Sequence, residues 1–534
     1  MEFSFLEAFL IGTFYWFTWM DFWLAPLASC MTWQDSCLIG LVLGLAYGNV
    51  EQGLILGGSI GLIYIGVNYV GANVGSDVSL ACCVAIPLSL KFGWDINVSM
   101  VVATAFGLFG TFLDTARRLL NGYWHRDAER RIKKRAYGGL WIDASVGPWL
   151  VDYVVRAIPL MLVIYFGGST MDTLVSKMPE WVMNGFTVVG GLLPALGLIL
   201  CCAFIGRKEL YPFFIIGYYL NTLLGWTSLT VLVFAVIFAI FYLRFTEKGE
   251  TVNEPFNINL KQLTKIDTTK SNLRLGDHWR VWWRTLIWFR VSQSMEYFFG
   301  VGYMFIMKPA LEKIYKDDPD GLQDALMRHL CPFITEPCMG ACIHGLAIAM
   351  EEQKARGEEI AGEDIVTMKT SLMGPFAGLG DSIFWTTTLA IVKSVFIPFA
   401  VAGHWYGAIG VFLLCCVAQT IGWFSHLIGY NLGGQSIIEF LQKGIFQKIL
   451  LGVSVVGFTM MGVLTAGNAH ITCVVQLTEE YTLQNVLDNA LPGVLMMLFC
   501  WFGFRYMSKG GKFLRMLTTT IVAGLVLGFL GILG

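Results

Sequence analysis

The stretch Leu372–Trp385, LMGPFAGLGDSIFW, decides the fold. Four helix-breaking residues interrupt its apolar run, and a carboxylate follows the last of them: Gly374, Pro375, Gly378, Gly380 and then Asp381. Glycine frees the backbone and proline removes a hydrogen-bond donor, so the stretch predicts an interrupted helix. Long apolar segments lie nearby, which places the interruption at membrane depth. Irregular backbone is tolerated there only against protein or a water-filled cavity.

Asp381 is a candidate substrate-binding residue, because an ionisable side chain at membrane depth is costly and marks a functional site by default. The glycines and Pro375 are then the hinge of a broken helix. The alternative interpretation is a kinked structural helix, in which Asp381 only caps a helical end.

The composition predicts an all-α, polytopic membrane protein. Of 534 residues, 56% are hydrophobic and only 14% are charged, and the mean hydropathy is +0.63. Soluble domains average about 25% charged residues, and a membrane-spanning helix needs about 20 apolar residues. The first residues lack the basic segment and the cleavage site of a signal peptide, so no cleavable signal is expected.

The thirteen cysteines do not predict a metal site. Several form adjacent pairs, which have neither zinc-finger spacing nor easy disulfide geometry. Cys331, Cys338, Cys342 and His344 lie close together in the sequence, but no second pair is spaced to complete a site. We therefore expect no metal and no other cofactor. A Walker-type GxxxxGK[ST] loop is also missing from the sequence, so ATP-driven transport is unsupported.

The opening stretch closely resembles the central signature of the IID subunit of mannose-family phosphotransferase-system permeases. The resemblance extends to Met295–Glu296, to RHL at Arg328–Leu330 and to AMEEQKARG at Ala349–Gly357, and it covers the chain from about Leu273 onward. The first half, about Met1–Phe245, resembles the partner IIC subunit. Because the two subunits are usually separate proteins, the sequence is identified as a natural IIC–IID fusion.

Three segments follow from the resemblance and from a sharp change of composition at Thr246. We predict a IIC-like membrane domain at 1–245, a polar cytoplasmic linker at 246–277 and a IID-like membrane domain at 278–534. The last domain starts with HWRVWWRTLIWFR, which predicts an amphipathic helix lying in the membrane interface among the lipids. Aromatic and basic residues also alternate in nucleic-acid binders, but in so apolar a chain we expect no nucleic-acid partner.

The first half has its own glycine-rich segment that ends near a carboxylate. Gly57 and Gly58 are the predicted hinge, and Asn68, Asn73 and Asp77 follow. Amides and a carboxylate in an apolar background can hydrogen-bond sugar hydroxyls; the alternative is a polar loop at the membrane surface. Corresponding broken segments in two halves predict a substrate site between them. The resemblance implies related halves in inverted orientation, with broken and re-entrant helices.

The second half contributes four more candidate substrate-binding residues: Gln293, Glu296, Thr335 and Glu336. Glu296 matches the family and is predicted to lie on a helix. Glu336 stands where the family commonly has an amide, and an added carboxylate can pair with an amine on the ligand. Ile334 replaces a common Asn, and Gly61 replaces a common acidic residue. These departures favour an amino sugar, a sugar acid or a sugar–amine conjugate over plain mannose.

The densest basic run of the chain extends from Arg117 to Arg135. The positive-inside rule places this run in the cytoplasm. One interpretation is a docking surface for an acidic cytosolic partner or for anionic lipid. Membrane topology alone explains the run equally well.

The resemblance implies the translocation subunit of a phosphoenolpyruvate-dependent sugar phosphotransferase system in the bacterial cytoplasmic (inner) membrane. The phosphoryl-carrying histidine is expected on a separate cytosolic IIB protein, supplied by IIA, so no catalytic residue is assigned to this chain. The resemblance also implies a homotrimer and an elevator-like movement. The alternatives are an ion-coupled secondary transporter using Asp77, Glu296 and Asp381, and a non-catalytic membrane scaffold or receptor.

Overall fold

The computed structural model describes residues 2–20, 30–65, 76–205, 207–246, 271, 273–442, 445–477 and 481–533. Within these ranges nearly every long segment is helical, and no β-strand occurs beyond isolated bridges. The prediction of an all-α chain is therefore confirmed. Asn68, Asn73 and most of the predicted linker lie outside the described residues.

The first half contributes eleven described α-helices. They are α1 Phe5–Thr18, α2 Cys30–Trp33, α3 Ser36–Ala46, α4 Val50–Ile63, α5 Val78–Phe92, α6 Ile96–Lys133, α7 Gly147–Asp152, α8 Ile158–Ser176, α9 Glu180–Ile205, α10 Tyr211–Leu224 and α11 Ser228–Thr246.

The second half also contributes eleven described α-helices. They are α12 Leu275–Trp288, α13 Gly300–Ile314, α14 Pro319–His329, α15 Ala341–Ala355, α16 Gly362–Gly380, α17 Leu389–Val401, α18 Gly410–Gln442, α19 Ile445–Asn468, α20 Leu483–Ala490, α21 Val494–Ser508 and α22 Phe513–Phe529. Short π-helical segments adjoin some of these helices, at Ile142–Val146, Tyr153–Ala157 and Asp381–Thr388.

Seven described helical stretches are long and apolar enough to cross a membrane. An eighth is formed if α20 and α21, which meet at an angle of 80°, count as one bent span. The multi-span prediction is thus confirmed. The helix predicted at the start of the second half is α12, whose buried face includes Val281, Trp282 and Ile287. Trp279 and Arg280 lie on the exposed side of α12, as expected for an interfacial helix.

The glycines of the first half serve close helix packing. Helices α3 and α4 have 11 and 14 residues, about 16 and 21 Å at 1.5 Å per residue. Neither alone crosses a hydrocarbon core of about 30 Å, so the pair forms a short hairpin. A Cβ atom on Gly53 would lie 2.6 Å from the Gly44 Cα atom. Gly57 faces the backbone of Ser36, and Gly58 faces Val401 of α17.

The predicted breaks at the two glycine motifs are wrong. Helix α4 runs uninterrupted through Gly57 and Gly58, and α16 runs through Gly374, Pro375, Gly378 and Gly380 to its end. A helical glycine costs about 1 kcal/mol relative to alanine and a proline about 3, which a packed helix can tolerate. The irregularity begins one residue later, where Asp381–Thr388 adopts a π-helix and the backbone N–H of Leu389 bonds to the Phe384 carbonyl.

The prediction that Glu296 lies on a helix is also wrong. Helix α12 ends at Trp288 and α13 begins at Gly300, so Glu296 lies in the intervening loop, where its side chain is exposed. The N–H of Ser294 bonds to the Phe298 carbonyl at 3.0 Å, which closes a tight turn around Glu296. Phe298 has a φ of 49°, a left-handed conformation that interrupts a right-handed helix.

The two halves share their apolar cores. One core joins residues of α6, such as Ala128 and Ile132, to α12, α13 and α15 of the second half. A second core joins α9 and α10 of the first half to α19 and α21 of the second. Helix α4 packs against α17, and α9 packs against α22. The halves therefore fold as interlocking parts; their relation by inversion stays a prediction.

The α3–α4 contact yields a prediction with an internal control. Gly53→Ala should destabilise the protein by about 1–3 kcal/mol, because the new methyl group overpacks the hairpin. Gly122→Ala on α6, where nothing lies within 4 Å of the added Cβ atom, should be neutral or stabilising by up to about 1 kcal/mol. Thermal unfolding of both variants in detergent measures the difference. Equal melting midpoints would show that close packing at Gly53 does not matter.

Candidate functional site

Asp77 is held in a buried ion pair. It caps the N-terminus of α5, where one carboxylate oxygen accepts the Leu80 N–H at 2.9 Å. The other oxygen accepts the Tyr15 hydroxyl at 2.6 Å and the Arg156 Nη1 atom at 2.8 Å. Asp77, Tyr15 and Arg156 all have 0% exposure. The carboxylate predicted to bind substrate is therefore already bound by these three donors and by the Trp19 indole N–H at 3.4 Å.

Arg156 is the centre of this cluster. Its guanidinium also donates from Nη2 to Asp114 at 3.0 Å and from Nε to Asp152 at 3.2 Å, and it lies 3.7 Å from the centre of the Trp19 ring. Each of the three guanidinium nitrogens thus donates to a carboxylate, and Nη1 also donates to the Tyr15 hydroxyl at 2.9 Å. A buried charge with this degree of pairing avoids the large desolvation cost of an isolated ion.

Two arginines of α6 complete the cluster. Arg117 donates from Nη2 to Asp114 at 3.0 Å, and the Arg118 Nε atom lies 2.6 Å from the second oxygen of Asp114. Arg117 also approaches Asp152 at 3.5 Å. Three arginines therefore face three aspartates, so these six buried side chains are balanced in charge. We call this set, with Tyr15 and Trp19, the arginine–aspartate cluster.

A loop of the second half is fastened to this cluster. The amide oxygen of Gln293 accepts from Arg117 at 3.0 Å, and the carbonyl of Gln293 accepts from Asn121 at 3.1 Å. The Tyr297 ring stacks on His125 with centroids 3.3 Å apart. The loop between α12 and α13 thus joins the two halves, and Gln293 lies between them.

Glu336 is also engaged by donors. It lies in the loop between α14 and α15, where its carboxylate accepts the N–H groups of Cys338 at 2.9 Å and Met339 at 2.6 Å. The Trp385 indole donates to it at 3.1 Å. The Glu336 side chain packs on Gly380 and lies close enough to Asp381 for their charges to interact. The hypothesis that Glu336 pairs with a ligand amine stays a prediction.

The loop that carries Thr335 and Glu336 is tied to its surroundings by the backbone. The N–H of Phe299 bonds to the Phe333 carbonyl at 2.9 Å, and the Thr335 hydroxyl bonds to the Met373 carbonyl at 3.3 Å. This loop therefore connects the Gln293 loop on one side with α16 on the other. Glu336 and Asp381, which come from two separate motifs, lie close to each other.

A second ion network anchors the same loop. Its central residue, Glu351 on α15, lies outside the candidate membrane spans. Glu351 accepts from Arg328 at 2.7 and 2.9 Å, from His329 at 2.9 Å and from Tyr315 at 2.7 Å. Burial acts to raise the pKa of Glu351, but the bonds from His329 and Arg328 hold it below its usual range. Burial and the nearby Lys369 lower the pKa of His329 to about 4. His329 is therefore neutral, and its contacts with Glu351 and Lys369 are structural.

Two cavities adjoin the residues around Arg156 and Glu336. The smaller is lined by Trp19, Met20, Arg117, Trp149, Asp152, Arg290, Val291 and Gln293. The larger is lined by Met31, Thr285, Leu286, Phe289, Arg290, Pro337, Cys338, Trp385, Cys415, Ala418 and Gln419. Arg290 belongs to both walls, so the cavities adjoin at this residue. Each wall combines residues of the two halves.

The structure separates the predicted residues into three groups. Gln293 lines the smaller cavity, whereas Asp77 and Asp381 line neither of these two cavities. Thr335 and Glu336 adjoin the larger cavity through Pro337.

The sequence prediction missed Arg156 and Asp152, because single charges in apolar segments give no sign of their partners. It also read Arg117 and Arg118 as part of the exposed basic run, although both are buried.

Two family models match consecutive parts of the chain. The mannose/fructose/sorbose family IID component of phosphotransferase systems matches residues 272–533, and the sorbose-specific IIC component matches residues 5–241. The chain is similar to the mannose-specific EIID component of Escherichia coli K12, with 31% identity over 245 residues, which cover 44% of this chain and 86% of the relative. The resemblance seen in the sequence is thus confirmed.

Other relatives match each half separately. The fructose permease IID component of Bacillus subtilis is 34% identical over 214 residues, or 38% of this chain and 77% of the relative. The sorbose-specific EIIC component of Lacticaseibacillus casei is 26% identical over 215 residues, or 39% of this chain and 76% of the relative. A solved structure of the mannose transporter ManYZ with microcin E492 is 30% identical over 49% of this chain and 98% of that chain, with a TM-score of 0.30.

The arginine–aspartate cluster yields a stability prediction. Arg156→Met should cost about 3–5 kcal/mol, because it leaves buried carboxylates without a partner. Lys133→Met, which removes an exposed pair with Glu129 on the same helix α6, should cost less than about 0.5 kcal/mol. Thermal unfolding in detergent measures both. The double variant Arg156→Met, Asp77→Asn should recover part of the loss; no recovery would argue against the pairing seen here.

Proposed function

Since the chain belongs to the mannose/fructose/sorbose family of phosphotransferase-system permeases, as a fused IIC and IID component, we propose that it binds a sugar between its two halves. The chain is a multi-span sugar permease of the bacterial cytoplasmic membrane. In the proposed cycle the sugar enters from outside and is presented to a cytosolic phospho-IIB protein. Uptake is then coupled to phosphorylation, with IIA supplying IIB.

The smaller cavity is the observation that carries this proposal. Trp19 and Trp149 offer aromatic faces, on which the apolar side of a sugar ring can pack. Asp152, Arg117 and Gln293 place a carboxylate, a guanidinium and an amide in the same wall, a donor and acceptor set suited to hydroxyl groups. The first half supplies both tryptophans and the second half supplies Gln293, so binding requires the two halves together.

We assign the other residues that were predicted to bind substrate to the path that the sugar follows through the protein. Thr335, Glu336 and Asp381 form the second-half side of the sugar path, next to the larger cavity. Asp77, with Asn68 and Asn73 beyond the described residues, forms the first-half side. Glu296, exposed in its loop, is proposed to contact the sugar or its phosphoryl donor only at the surface of the path.

The chain contributes position rather than covalent chemistry in this proposal. Holding a sugar hydroxyl in line with a phosphohistidine converts a bimolecular encounter into an oriented reaction, which can supply several kcal/mol of rate enhancement. The phosphohistidine belongs to IIB. We further propose an elevator-like movement of one body against the other, halves in inverted orientation and a homotrimer, all by analogy with the family.

Uptake measurements test the proposed function. Cells that express the chain together with the IIA and IIB proteins should accumulate a labelled sugar in its phosphorylated form. The sugars to test are mannose, fructose and sorbose, after which the relatives are named. Omission of IIB should abolish accumulation, and an ionophore that collapses ion gradients should not. Uptake that persists without IIB but is lost with the ionophore would instead identify an ion-coupled transporter.

The sugar site itself is tested at Trp149. Trp149→Leu should weaken sugar binding by about 2- to 12-fold, from the 0.5–1.5 kcal/mol that an aromatic contact adds. Equilibrium dialysis of the purified protein with labelled sugar measures the affinity. Trp405→Leu, at a side chain that is 61% exposed, is the matched control and should bind as the parent does. Equal affinity in the two variants would exclude the smaller cavity as the sugar site.

A further inference from the structure

A second group of polar side chains is buried at the seam between the halves. Thr32 of α2, Gln34 and Asp35 of the turn that follows and Ser36 of α3 belong to the first half, and Lys393 of α17 belongs to the second. Their exposures range from 0% for Ser36 to 9% for Lys393. We call these five residues the seam cluster. None of them was singled out as a binding residue by the sequence.

Three members of the seam cluster carry unpartnered polar atoms. Among the described residues, the Thr32 hydroxyl, both the amide nitrogen and the amide oxygen of Gln34, and the Ser36 hydroxyl have no hydrogen-bond partner. The Ser36 hydroxyl lies against Gly61, which has no side chain to meet it, and close to this point lies Ile397, one turn beyond Lys393 on α17. The Ser36 hydroxyl therefore lies at the contact between α4 of its own half and α17 of the second half.

The two charges of the seam cluster attract each other without direct pairing. Asp35 caps α3 and accepts the N–H groups of Cys37 at 3.1 Å and Leu38 at 3.3 Å. The Lys393 ammonium interacts electrostatically with Asp35, yet no ion pair within 4.0 Å joins them in the described structure. A gap thus separates a buried cation from its nearest described carboxylate.

Buried polar atoms without partners cost free energy, and native proteins retain few of them without a reason such as a ligand or ordered water. The arginine–aspartate cluster shows that this fold can bring buried opposite charges into contact. The seam cluster combines a carboxylate, an amide, two hydroxyls and an ammonium. This set offers both donors and acceptors at short spacing, which matches a molecule with several neighbouring hydroxyl groups.

We propose that the seam cluster is a hydroxyl-binding site that the transported sugar occupies as it passes between the halves, with Gln34 as its central residue. The proposal rests on the proposed function and adds binding residues to it. Met31, next to Thr32, lines the larger cavity, so the path from that cavity leads to the seam. Because all five side chains are buried, the sugar reaches them when α3 and α17 move apart.

Gln34→Met tests this proposal, since methionine keeps the length of the side chain and removes both unpartnered atoms. Binding of labelled mannose, fructose and sorbose to the full-length protein should weaken about tenfold or more for a sugar that the parent binds. The melting midpoint without sugar should stay equal or rise, because an unsatisfied amide has been removed from the interior. Ser36→Ala should act in the same direction on both measurements.

Gln52→Met, on the first turn of α4 in the same half, is the matched control and should change neither measurement. Sugar affinity equal to that of the parent in Gln34→Met and Ser36→Ala would overturn the seam site and leave the proposed function intact. A lower melting midpoint together with weaker binding would assign the cluster to structural water and overturn it as well. If the parent binds none of the three sugars, the proposed function fails and the seam site with it.

Discussion

Neutralising charge inside an apolar protein is the constraint on which this structure depends. Arg156 meets it by contacting Asp77, Asp114 and Asp152 at once, and these partners come from α5, α6 and α7. Tyr15 of α1 joins the same group. A single guanidinium therefore fixes the relative positions of four helices. Its rigid, planar donor arrangement suits this task better than the point charge of a lysine.

The same constraint explains how the two halves are joined. Arg117 shares its guanidinium between Asp114 of its own helix and Gln293 of the second half. Asn121 and His125, one and two turns further along α6, contact the same loop. A helix of the IIC part thus serves as a platform for the loop that precedes α13 of the IID part. The position of Gln293 in the cavity wall depends on charges that belong to the other half.

The sequence predicts the general architecture well, because composition and apolar length are local properties. The all-α class, the multiple spans and the amphipathic helix at the start of the second half all follow from these properties. The glycine motifs predicted helix breaks wrongly, because a glycine can serve either flexibility or close approach between helices. At Gly53 and Gly57, only the neighbouring residues in the fold show that close approach is the use. Glu296 is misplaced for a similar reason: the turn at Phe298 depends on bonds to Phe333 that lie far away in sequence.

The candidate site is predicted less completely, because burial changes the meaning of a charged residue. Arg117 and Arg118 belong by sequence to the same basic run as Arg130 and Lys134, yet the first two are buried and the last two are exposed. Asp77 and Asp381 are recognisable as unusual, but their partners Arg156 and Glu336 come from other segments. No spacing rule in one sequence connects such residues.

The arginine–aspartate cluster and the seam cluster differ in how far their polar side chains are paired. In the arginine–aspartate cluster the charges balance and each carboxylate of the three aspartates has a guanidinium within 3.5 Å. In the seam cluster the amide of Gln34 lacks partners on both of its atoms. Both groups are equally buried, so burial alone does not explain the contrast. Unpaired buried polar groups cost free energy, so their retention in the seam cluster supports the ligand-binding role proposed for it.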